Sequence, residues 1–167
     1  MVQRYLTSEA GANGFRQWLI RHDYTRVMNP QEVKLNNKHF HYIIKTDQET
    51  FYCLFKHDFF YTFPDKFKLF FDKYPSLNSA GESINMDKLI YANNNNMTLI
   101  FIYENGSFYE IKPLEILNVH TLAKEFYPDG FIREQKKINT YTEKFVDVEF
   151  NERTISFPVR ALARKLE

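Results

Sequence analysis

Lys56 and Asp58 stand two apart at the end of an aromatic-rich stretch, "ETFYCLFKHDFFYTF", residues 49–63. Residues two apart on an extended strand project from the same face, so an ammonium and a carboxylate sit side by side where the apolar run ends. Glu82, in "GES", is predicted at the start of a helix that packs beside this strand. A helix N-terminus carries partial positive charge and favours a carboxylate there. If the three side chains converge, Asp58 and Glu82 can hold a divalent cation such as Mg²⁺. Lys56 can then polarise water or balance charge developing on an attacked phosphate.

Literal E-x-K triplets at Glu32-Val33-Lys34 and Glu110-Ile111-Lys112 offer the same pairing of acid and lysine. The second, the secondary candidate, closes a strongly marked hairpin. Other chemistries lack their residues. The five glycines are scattered, so no phosphate-binding glycine loop exists, and no G-x-S-x-G or H-E-x-x-H motif occurs. Cys53 is the single cysteine, which excludes an intramolecular disulfide and a cysteine metal cluster within one chain. On a strand His57 lies roughly 13 Å along from it, too far to act as its base. His39 and His41 share a strand face, a spacing that can bind metal, but without a third ligand they read first as a polar pair facing solvent.

Net charge is +1, from 22 basic against 21 acidic residues, so any nucleic-acid site must be a local patch. The candidates are Arg133, Lys136 and Lys137 in "REQKK", and Arg160 and Arg164 near the C-terminus. The helix "PDKFKLFFDKY" mixes lysines with aromatics in a way that suits single strands, but four aromatics on one stripe read first as core. No apolar window approaches the length of a membrane span, and the first residues lack a signal-peptide core, so a cytoplasmic protein without a membrane partner is expected.

The elements that must position these groups follow from periodicity. A helix over 14–22, capped by Asn13, places Phe15, Trp18 and Leu19 on one face. A short strand is broken at Pro30. "KHFHYIIKTDQETFYCLFKHDF" reads as a hairpin around "TDQE". Pro64 opens a helix to Tyr74, Asn85 caps another over "MDKLIYA", and "TLIFIY-ENG-SFYEIK" is a hairpin with an Asn-Gly turn. Its first strand is apolar on both faces and belongs at the sheet centre. Pro113 begins a helix to about Phe126. "FVDVEF" alternates as a strand, "NERT" turns it into "ISF", and Pro158 starts a final helix. The sum is one domain over 1–167, with a core at 14–112 and a C-terminal extension at 113–167. Its fold class is α/β (α+β), a mixed, largely antiparallel sheet with helices packed on both faces.

The order of helix 14–22, the hairpin ending in Lys56, the helix after "GESIN" and the strand "LIFIY" resembles the core of the PD-(D/E)XK, restriction-endonuclease-like, nuclease superfamily. The resemblance spans about residues 14–112 and rests on element order plus Lys56. It implies a domain that binds DNA or RNA and cleaves phosphodiester bonds with Mg²⁺. Leu54 stands where the family carries an acid two residues before the lysine. Some members move that acid to the neighbouring helix, which makes Glu82 the candidate, and a non-cutting relative is a second option within the family. The alternative outside it is a non-catalytic interaction module that self-associates, as a homodimer, through its sheet and aromatic helix.

Overall fold

The computed structural model describes residues 4–35, 39–57, 62–141 and 146–167, and defines the backbone alone at 39, 132–141 and 146–152. Asp58 lies outside the described residues. The fold is α/β. A mixed, largely antiparallel six-stranded sheet contains β1 (Gln31–Leu35), β2 (His39–Lys45), β3 (Thr50–Lys56), β5 (Thr98–Tyr103), β6 (Phe108–Ile111) and β9 (Arg164–Leu166), in that spatial order. A smaller antiparallel sheet orders β4 (Glu82–Asn85), β8 (Val146–Phe157) and β7 (Ile132–Tyr141). Among the described residues only β3 and β5 run parallel, from Phe51↔Thr98 to Lys56↔Tyr103.

β5 is central, and all six of its residues are buried. Its alternate side chains serve two cores. Ile100 and Ile102 pack with Phe15 and Leu19 of α1 (Ser8–Arg21) on one face. Leu99, Phe101 and Tyr103 pack on the other with Leu89 of α3 (Met86–Asn94), Ile116 of α4 (Pro113–Ala123), and Ile155 and Phe157 of β8. Each fully buried apolar side chain contributes roughly 1.5–3 kcal/mol, so this two-sided strand anchors both layers. The Asn105-Gly106 turn behaves as expected, with Gly106 at φ 92. The short helix α2 (Lys68–Lys73) follows a single 3-10 turn and buries Phe70 and Phe71 against Phe131. Its aromatic stripe is therefore core.

Several local expectations are corrected. α1 begins at Ser8, where the Thr7 hydroxyl accepts from the Ala10 N–H at 3.1 Å, rather than after Asn13. Gly14, inside the helix, is a close-approach site. A Cβ on Gly14 would fall 2.1 Å from the Tyr5 hydroxyl oxygen. Glu82 is not at a helix start. It opens β4, paired with Phe157, and α3 begins four residues later under the Asn85 cap. "NERT" is not a turn, because β8 runs unbroken from Val146 to Phe157 and forms its hairpin with β7. The final helix α5 spans only Val159–Leu162, and Arg164 falls on β9 at the sheet edge. His41 is buried rather than facing solvent, its ring stacked on Tyr52 at 4.3 Å. The C-terminal segment is integral to the core, with Phe157 and Val159 in one cluster and Leu166 in the other.

Candidate functional site

The large sheet is forked. The β2–β3 register runs from Lys45↔Thr50 to Tyr42↔Cys53 and stops there. β2 continues towards His39 but pairs with β1, through Val33↔His41 and Lys34↔Phe40. β3 continues to Lys56 but pairs with β5. Beyond Tyr42 and Cys53 the two strands share no register among the described residues. A cavity of about 410 Å³ fills this fork, lined by Phe40, Tyr42, Lys56, His57, Lys88 and Thr154 among others. β4 and the first turn of α3 contribute Ser83, Asn85 and Lys88 to its wall. Along β3 its lining runs from Cys53 to Lys56 and on to His57, towards the C-terminal end of that strand.

Lys56 and Glu82 meet beside this cavity. Lys56 Nζ lies 3.7 Å from Glu82 Oε1, and donates to the Ser83 carbonyl at 2.7 Å. Glu82 Oε1 also accepts from the Ser83 N–H at 2.9 Å, while Oε2 accepts from the Tyr103 hydroxyl at 2.9 Å. Only 8 % of the Glu82 side chain is exposed. A carboxylate this buried is tolerated because hydrogen bonds and a cation replace its water. Burial, and then the Glu82 charge, push the Tyr103 phenol well above its ordinary range, so it remains a donor. The pairing arises because β3 and β5 bring Lys56 and Tyr103 into register, while β8 holds β4 across their ends.

The resemblance implies Mg²⁺ here. Glu82 is a single carboxylate with both oxygens hydrogen-bonded, and no group of three His, Cys, Asp or Glu among the described residues is placed to hold a metal. The described residues do not by themselves fit a divalent cation.

The secondary candidates are not brought together. Glu110 Oε1 accepts from Arg164 Nη2 at 2.8 Å, an ion pair across β6 and β9. Lys112 instead donates to the Thr98 hydroxyl, which donates to Glu49 Oε1 at 2.8 Å. Glu32 is exposed on the edge strand β1, and Lys34 Nζ lies 5.0 Å from the Phe40 ring centroid. Arg160 is exposed on α5. Arg133, Lys136 and Lys137 fall on β7, and only their backbone is defined. Burial raises the Cys53 thiol far above its usual range, so it stays protonated.

Sequence reasoning missed Tyr103 and Lys88. Tyr103 reads as the last residue of an apolar strand, and nothing in its neighbours announces a carboxylate partner. Lys88 is an ordinary helix-surface residue until the fork is seen beneath it. Comparison with protein-family models, with curated proteins and with solved structures returns no match.

Proposed function

We propose that this chain is a nucleic-acid-binding domain of nuclease-like design, whose site is the fork between β2 and β3. The observation that carries the reading is the position of Lys56. It ends the strand that parallels β5, it is fixed by Glu82 and Ser83, and it borders a polar cavity that also contains Lys88 and His57. An ammonium held in that way suits a backbone phosphate, and the neighbouring hydroxyls and amides supply further donors. The element order supports the nuclease-like part: three antiparallel strands, a helical crossover, then a strand parallel to the third.

The same geometry favours binding over cutting. Glu82 is engaged in holding Lys56 and Tyr103, and no group of three His, Cys, Asp or Glu that could hold a metal stands among the described residues. The test is retention of labelled oligonucleotides by the full chain, followed by incubation with Mg²⁺ or Mn²⁺ and plasmid or single-stranded substrate. The expected result is salt-sensitive retention, weakened in Lys88→Ala, without cleavage. Metal-dependent cleavage lost in Lys56→Ala would overturn the non-cutting part. Absence of retention at low salt would overturn the nucleic-acid reading itself.

A further inference from the structure

The six-stranded sheet ends in two edges, β1 and β9, which differ in what they can pair with. We infer that β1 is a self-association edge. Two copies of this chain join β1 to β1, antiparallel about a two-fold axis at Val33, and so form one continuous sheet. This inference is independent of the nucleic-acid reading above.

Three observations carry it. The first is that the edge is open. β1 pairs with β2 on one side, from Gln31↔Ile43 to Leu35↔His39, and no described strand lies on the other. In an antiparallel ladder every second residue turns its N–H and C=O away from the neighbouring strand. An edge strand therefore offers main-chain donors and acceptors to a further strand. The core cluster around α1 draws on β2, β3 and β5 and holds no β1 side chain, so that helix leaves the edge accessible.

The second is charge. Residues directly opposite each other in an antiparallel pair project to the same face. With Val33 opposite its own copy, Glu32 of each chain lies opposite Lys34 of the other, and two ion pairs flank an apolar centre. Glu32 and Lys34 are exposed, and within one chain neither belongs to an ion pair among the described residues. A row across the joined sheet reads Phe40 and Lys34, then Glu32 and Tyr42 of the second copy. Slipping the register by two residues sets Glu32 against Glu32, or Lys34 against Lys34, and like charges directly opposite are destabilising. The same charges thus favour the two-fold register and disfavour its neighbours.

The third is the contrast with β9. That edge is three residues long, and Arg164 is already paired with Glu110 at 2.8 Å. Two-fold pairing centred there sets Lys165 against its own copy. Edge charges commonly protect a sheet from pairing, and on β9 they do. On β1 the order Glu-Val-Lys makes them complementary to a second copy, the self-matching surface that a two-fold interface requires. A joint built on a five-residue strand is small, so the dimer belongs to the weak class and forms with rising concentration.

The test is sedimentation velocity of the full chain over a concentration series at low and high salt. The chains are wild type, Glu32→Lys, Lys34→Glu and the double variant. Wild type is expected to dimerise as concentration rises, less so in high salt. Each single variant makes both cross-chain pairs repulsive and is expected to weaken dimerisation at least about tenfold. An equimolar mixture of the two single variants sets opposite charges across the joint again, as does the double variant. Both are expected to recover the wild-type association, which a folding defect would not allow. A wild type that stays monomeric throughout, a dimer indifferent to both single variants, or a loss that the mixture does not restore overturns the inference.

Discussion

The parallel pair β3 and β5 has two ends, and at each a lysine, a glutamate and a hydroxyl meet. At the start of the strands, Lys112 donates to Thr98, Thr98 donates to Glu49, and the two charges lie 3.6 Å apart. At the finish, Lys56 faces Glu82 at 3.7 Å and Tyr103 donates to that carboxylate. The side-chain inventory is nearly the same, but the surroundings differ. Lys112 and Glu49 are 61 % and 29 % exposed, whereas Lys56 and Glu82 are 23 % and 8 % exposed. The β2–β3 ladder is intact at the first end, through Lys45↔Thr50, and has already parted at the second. Residue types alone do not make a site. The difference lies in desolvation and in an opened ladder that leaves space beside the charges.

The comparison breaks first at Glu82. Glu82→Ala removes the partner of Lys56, Tyr103 and Ser83 together, and is expected to cost about 2–4 kcal/mol in urea unfolding. That lies at or below the full figure for breaking a buried pair, because Lys56 reaches the cavity. A loss under about 1 kcal/mol would place this end on the same footing as the other. Tyr103→Phe leaves the carboxylate short of one donor and is expected to cost about 1–2 kcal/mol, measured in the same way. Lys112→Ala, at the exposed end, is expected to cost less than about 1 kcal/mol and to lose that effect in high salt.

Acid titration sharpens the comparison once a third buried group is separated from it. His120 on α4 is buried, and the Gly130 backbone comes so close that a Cβ there would lie 2.5 Å from the imidazole. Burial lowers its proton affinity below the ordinary value of 6.5, and repulsion from Lys124 and Arg153 lowers it further. The unfolded chain therefore takes up this proton first. The stability it contributes is complete above about pH 6.5 and is lost as pH falls from there towards the lower folded value. Across that window the unfolding midpoint is expected to depend less on pH in His120→Leu than in wild type. A slope unchanged in the variant would reassign the effect to other groups.

Much of the architecture is legible in the sequence because it follows from local rules. "TLIFIY" reads as a central strand because both of its alternating sets are apolar, and the Asn85 cap and the Asn-Gly turn are fixed by their own chemistry. What is illegible depends on partners far along the chain. Glu82 reads as a helix-start acid, yet Phe157 draws it into a strand. Arg164 reads as helical, yet β6 offers an open edge and Glu110 a counter-charge. Lys56 is found by its place at a strand end. Its tether to Tyr103 through Glu82 and the fork beside it come from long-range registers that no local pattern announces. The E-x-K triplet at Glu110–Lys112 shows the converse, a familiar spacing whose members turn to different partners.

The most direct test of the two-ended account compares one lysine from each end for labelled oligonucleotide binding across a salt series. Lys88→Ala, at the fork, is expected to weaken binding and reduce the salt slope by about one, while Lys112→Ala leaves both unchanged. Equal losses from the two variants, or a loss from Lys112→Ala alone, would contradict the assignment of the fork as the binding site.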